Sequence, residues 1–182
     1  MKNLFSSLTV LLGLAVAMPG HAQSVTLDEL IRLRPQDAVA VNSYLAARGW
    51  KLSDYPADDS TRSACWVYLD RAKHTVGQVL LTYQEGKPTL ITFATTQRPA
   101  FEAVRAKVAA YDMESQGTAV SKGDGSVWTK YYGATYEVQL HVFTPPNEPA
   151  TWYATHLKPH GLTRYYVEGE AEPRWGHVVL SK

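Results

Sequence analysis

Cysteine is almost absent: the 182 residues carry one, Cys65. A disulfide scaffold is therefore excluded, and any core must come from ordinary apolar packing. An excess of one charge sign is missing too. There are 18 Lys and Arg against 17 Asp and Glu, a formal net charge of +1. That balance gives no electrostatic footprint for nucleic acid or for an anionic membrane surface. Beyond the N-terminus, no stretch approaches the ~20 apolar residues a membrane helix needs. No glycine-rich loop leads into a helix. Lys122 to Ser126, KGDGS, reads as a turn and not as a phosphate cradle. There is no Gly-x-Ser-x-Gly elbow and no Ser beside a paired base, so the signature of a serine nucleophile is lacking. Apolar residues, by contrast, make up 45% of the chain, which excludes a disordered polymer and fits a globular fold of this length.

The apolar N-terminal run has the layout of an export leader. Lys2 is the positive start, Leu4 to Met18 the apolar stretch, and Pro19-Gly20 the break. Gly20 and Ala22 put small residues where a signal peptidase reads. Residues 1–22 are expected to be a signal peptide cleaved after Ala22, which makes the protein secreted or periplasmic. No Cys lies near that point, so no lipid anchor is expected. Loss of Lys2 leaves 17 basic and 17 acidic residues. Cys65, beside Trp66 in an apolar run without charged neighbours, reads as a buried packing residue.

Periodicity then divides the chain. Thr26 with Glu29 has capping-box spacing, and Leu27, Leu30, Ile31 and Leu33 form an apolar side. Pro35 interrupts. A second helical stretch after Asp37 carries Val41, Tyr44 and Leu45 on one face and ends at Gly49. Asp54, Asp58 and Asp59 lie in a polar loop without the spacing of a calcium site. CWVYLDR reads as a strand, and GQVLLTYQEGKPTLITFAT as two strands about a turn at 85–88. Pro99 opens a helix with Phe101, Val104, Val108 and Tyr111 at helical spacing. SQGTAVSKGDGS reads as a loop, and SVWTKYYG and TYEVQLHVFT as strands. ATWYATHL is β-rich and reads as a strand. Asn147, Pro149 and Gly161 would alternatively bound a helix over it. The tail from Leu162 looks like a hairpin turning near 168–170.

An internal repeat organises these elements. YLAARGWKL matches KVAAYDMES in layout, Trp66 falls on Trp128, and TFATTQRP falls on WYATHLKP, with Ala94, Thr95 and Pro99 over Ala154, Thr155 and Pro159. The expected fold is α+β: two tandem α-β-β-β units, residues 23–97 and 98–182. Their antiparallel sheet has helices packed on one face, and a C-terminal hairpin follows.

Candidate chemistry is sparse. His156 and His160 are four apart, a metal-ligand spacing on a helix, but Leu157 stands where a zinc protease has Glu, and Pro159 breaks a helix. His141 and His177 fall in strands and His74 in a loop, with Asp70 four residues before it. No metal site, catalytic set or cofactor is expected. Aromatic residues are the positive signal: of 5 Trp, 11 Tyr and 4 Phe, only Phe5 lies in the leader. Tyr131-Tyr132, Trp152-Tyr153 and Tyr165-Tyr166 are adjacent strand residues, so each pair sends one ring to either face. Rings on the uncovered face suit a partner, and Trp128, Tyr132 and Trp152 are the candidate binding residues. Cross-strand pairs that only stabilise the sheet would produce the same composition.

TLDELIRL, AARGW and the doubled unit resemble small secreted bacterial proteins. In architecture the chain also resembles the beta-lactamase-inhibitor proteins, which duplicate a helix-plus-sheet unit and grip an enzyme with an aromatic concave sheet. Their units carry disulfides, which one Cys cannot supply. The resemblance implies a non-catalytic binding or inhibitory module whose partner is another protein held on the sheet face. A small secreted hydrolase or metal-dependent enzyme, and an envelope structural protein without a discrete site, are the alternatives.

Overall fold

The computed structural model describes residues 24–53, 63–84, 87–165 and 174–177. The leader, the Asp54–Asp59 loop, the 85–86 turn step and the 168–170 turn lie outside the described residues. The fold is mixed α+β: the described residues form eight antiparallel strands in one open sheet, with three helices.

Helix α1, Leu27–Leu33, starts at the expected capping box. Glu29 N–H donates to Thr26 Oγ1 at 3.3 Å, and Thr26 N–H donates to Glu29 Oε2 at 2.7 Å. Helix α2, Ala38–Ala46, is capped by Asp37, which accepts from Ala40 N–H at 2.8 Å. Helix α3, Arg98–Ala110, has Pro99 in its first turn, where the missing N–H costs nothing. Charge ties the helices together. Arg48 reaches Glu29 at 2.6 Å and the Ser24 carbonyl at 2.6 Å, and the Tyr44 hydroxyl donates to Glu29. Lys107 pairs with Asp28 at 3.3 Å, and Tyr111 donates to Asp28.

The strands are β1 Lys51–Ser53, β2 Ser63–Leu69, β3 Thr75–Gln84, β4 Lys87–Thr95, β5 Glu114–Val120, β6 Val127–Tyr132, β7 Tyr136–Phe143 and β8 Trp152–Pro159. Their order is β1-β2-β3-β4-β8-β7-β6-β5, so β4 and β8 meet at the centre. There Ala94 lies opposite Ala154, with Phe93 opposite Thr155 and Thr95 opposite Tyr153. The β-rich composition of 152–159 prevails over its helix-like boundary residues. Two short strands, β9 Leu162–Tyr165 and β10 Arg174–His177, pair separately as the expected hairpin.

Two expectations need correcting. Residues 114–120 form a strand, not a loop, and together with Lys51–Ser53 they bring the sheet to eight strands where six were expected. β5 is an edge with its side chains almost all exposed, and its pairing to β6 shifts between Ser115 and Thr118. An edge exposed on both faces has no apolar alternation to read. The second correction concerns Trp66. Trp66 lies opposite Val79, which lies opposite Phe93; Val127 lies opposite Val142, which lies opposite Tyr153. Register therefore sets Val127 on the same face of the sheet as Trp66 and Trp128 on the opposite one, so Trp128 does not fall on Trp66.

One side-chain parity of the sheet joins the helices in a single core. Leu27, Leu30, Leu33, Val41, Leu45, Phe101, Val104 and Val108 cluster with Trp66, Val79, Leu81, Ile91, Phe93, Val138, Leu140 and Leu157. Trp66, Phe93 and Leu157 are essentially fully buried, each contributing about 1.5–3 kcal/mol by removal from water. Trp50 lies edge-on to Tyr68 at 5.5 Å and to Phe93 at 6.3 Å. Gly77 makes room for it, since a Cβ there would sit 2.9 Å from the indole. Among the described residues, no helix is long and apolar enough to cross a membrane.

Candidate functional site

The opposite side-chain parity carries different chemistry. In strands β7 and β8 the core positions are Val138, Leu140, Val142, Thr155 and Leu157. The positions between them are Glu137, Gln139, His141, His156 and Lys158. Cross-strand register arranges these polar groups in rows. One row runs Cys65, Leu80, Thr92, His156, Gln139, Lys130; another runs Gln78, Ala94, Ala154, His141, Trp128. Lys158, Glu137 and Tyr132 form part of a third.

A cavity of about 210 Å³ opens on this face, lined by Leu90, Glu137, Gln139, His156 and Lys158. Strands β4, β8 and β7 supply its floor, and β8 lies between the other two in the sheet. Lys158 Nζ and Glu137 Oε2 are 3.1 Å apart, with side-chain exposures of 17% and 8%. Such sheltered charges are tolerable only as a pair. Thr92 Oγ1 lies 2.9 Å from His156 Nδ1, which leaves Nε2 as the ring's other polar atom. Burial, with the neighbouring His141 ring as a second cause, pushes the His156 imidazole down to about 4. Burial also lowers His141, with Asp124 opposing it. The His141 ring stacks on Phe143 at 4.8 Å.

The three sequence candidates all point to this face without forming one patch. Trp128 is half-buried, lies opposite His141, and carries Lys130 Nζ 5.1 Å from its ring centroid. Tyr132 lies opposite Glu137 beside the cavity, and its ring meets the edge of His160 at 5.5 Å. Trp128 and Tyr132 are four strand steps apart, about 13 Å. Trp152 is 7% exposed, packs with Ala94, Ala154 and Phe143, and donates its indole N–H to Glu148 at 2.7 Å. Within the adjacent aromatic pairs, Tyr131 and Tyr153 turn to the core, and Tyr153 meets Phe101 at 5.2 Å. Tyr166 lies outside the described residues.

The histidine pair does not converge. His156 lies within β8 and His160 in the turn after it, so strand spacing holds them about 13 Å apart. Among the described residues, no three His, Cys, Asp or Glu are placed to hold a metal ion. His74 and Asp70 close the β2–β3 turn at 3.4 Å, exposed to solvent. Cys65 is buried and unpaired, and burial pushes its thiol up.

Of the cavity-lining groups, His156 stands out in the sequence by its spacing to His160, whereas Leu90, Glu137, Gln139 and Lys158 belong to no motif. The signal that finds them is alternation: Glu137, Gln139 and His141 alternate with Val138, Leu140 and Val142, and His156 and Lys158 flank Leu157. Comparison with protein-family models, with curated proteins and with solved structures finds no match.

Proposed function

We propose that this chain is a non-catalytic binding or inhibitory module, exported to the periplasm or medium after cleavage at Ala22, that holds a protein partner on the sheet face turned away from its helices. The observation that carries this reading is the half-exposed Trp128 and Tyr132, both on that face, with Tyr132 opposite the cavity-lining Glu137. Aromatic rings beside satisfied polar groups are the composition of binding hot spots. Trp152 supports the face from beneath, because its ring is already packed and its N–H already paired.

In this reading the architecture is two tandem units, each a helix followed by antiparallel strands, joined through β4 and β8. Ala94 opposite Ala154, with Phe93–Thr155 and Thr95–Tyr153 on either side, is the register expected of a two-fold between matching segments. The likeness in layout to the beta-lactamase-inhibitor proteins is an analogy of architecture, which carries no function by itself. It supplies the inhibitory alternative within the binding class.

The test is a double replacement, Trp128→Ala with Tyr132→Ala, in mature protein used to capture its partner from its own envelope fraction. The wild type is expected to retain a discrete protein that the double variant loses, with the thermal transition of both proteins alike. Equal capture by the folded double variant would remove this face from the binding role.

A further inference from the structure

The cavity on the uncovered face has a lining that selects ligand chemistry, and its charges cancel within the wall. Lys158 and Glu137 are paired at 3.1 Å, and Leu90 and Gln139 are uncharged. The His156 imidazole is neutral above about pH 4. An incoming carboxylate would meet Glu137, and an incoming ammonium would compete with Lys158. Either would set like charges against each other in a sheltered wall, which is costly. A neutral ligand meets no such penalty.

Hydrogen-bonding capacity nevertheless remains. The Gln139 side-chain amide, with two donor hydrogens and a carbonyl acceptor, makes no hydrogen bond to the described residues. His156 keeps Nε2 after Nδ1 engages Thr92. Leu90 closes one wall with hydrocarbon, and Tyr132 is next to Glu137 in register on β6. A cavity of about 210 Å³ is below the ~300 Å³ at which drug-sized ligands begin, so the occupant is small. A buried ion pair contributes little to stability compared with apolar side chains of similar volume. Its place in the cavity wall is better explained by ligand selection.

We propose that this cavity binds a neutral, hydroxyl-rich ligand about the size of one sugar ring, free or as a terminal residue of a glycan. Gln139 and His156 bond its hydroxyls, and Leu90 packs against its C–H face. The proposal rests on the reading of this face as the binding surface and names a ligand for it.

Amide resonances of the protein are followed by NMR while glucose, galactose, mannose or N-acetylglucosamine is added. Glucuronate and glucosamine serve as anionic and cationic counterparts. At least one neutral sugar is expected to cause saturable shifts at Leu90, Glu137, Gln139, His156 and Lys158. Gln139→Ala is expected to weaken it about tenfold with the thermal transition unmoved. Thr92→Val, which releases the His156 ring, is the second variant should the first fail to fold. Absence of shifts with every neutral sugar, or tighter binding of either charged counterpart, overturns the proposal. If sugars fail while Trp128→Ala with Tyr132→Ala still abolishes partner capture, the ligand is wrong and the binding face stands. If capture also survives that double replacement, both readings fall.

Discussion

The two faces of one sheet differ in what their side chains can be asked to do. On the helix side, the row Trp66, Val79, Phe93, Thr155, Leu140 is buried throughout. On the other side, the adjacent row Leu80, Thr92, His156, Gln139 is half-buried and mostly polar. The same backbone hydrogen bonds serve both. Stability therefore belongs mainly to one parity of each strand, and recognition chemistry is available only on the other.

That contrast breaks first at the core. Phe93→Ala is expected to cost about 3–5 kcal/mol, since the 1% exposed ring would leave a cavity between helices and sheet. Urea unfolding measures it, and a loss below about 1 kcal/mol would mean that the core lies elsewhere. On the polar face the largest effect belongs to the ion pair. Glu137→Ala should cost about 3 kcal/mol by removing the carboxylate that Lys158 Nζ meets at 3.1 Å, whereas Glu137→Gln combined with Lys158→Met should recover most of that. A double variant no better than the single one would contradict the account of a sheltered pair.

Histidine gives the pH dependence. His156 titrates near 6.5 when unfolded and at about 4 in the fold, where burial and then His141 disfavour its cation. Between those values the unfolded chain takes up a proton that the native chain refuses. Stability is thus unaffected by this group above pH 6.5 and falls as pH drops from 6.5 to 4, by on the order of 2–3 kcal/mol. Unfolding free energies at pH 7 and pH 4.5 should diverge less for His156→Gln than for the wild type. Equal acid sensitivity of the two would assign the effect to other groups. The smallest change sharpens the comparison at its rim. Lys130→Ala removes the cation over Trp128 and should cost only about 0.5 kcal/mol, a shift of the thermal midpoint that calorimetry resolves.

The sequence disclosed the core side well, because burial leaves a period. Leu27, Leu30 and Leu33, then Val41 and Leu45, then Phe101, Val104 and Val108 repeat at helical spacing, and the structure buries them all. The capping residue Thr26 was legible for a related reason: its side chain bonds a backbone group three residues away, so local sequence suffices. Strand β5 was not legible. Its partner β6 holds it through main-chain bonds, which any residue can make. The site was half legible. Adjacent aromatics assigned one ring to each face, but only cross-strand register sets Tyr132 beside Glu137, and only the 145–149 connection explains why Trp152 is covered by Glu148. Trp128 was aligned with Trp66 because both are Trp, although they point to opposite faces. Residue identity matched where strand parity did not.

The central claim, that the uncovered face is where this protein meets its partner, is tested most directly by site-specific photo-crosslinking in the native envelope. One crosslinker replaces Lys130, between Trp128 and Tyr132, and a second replaces Arg105, exposed on α3. The account predicts a discrete adduct from position 130 and none from position 105. An adduct from position 105 alone would contradict it.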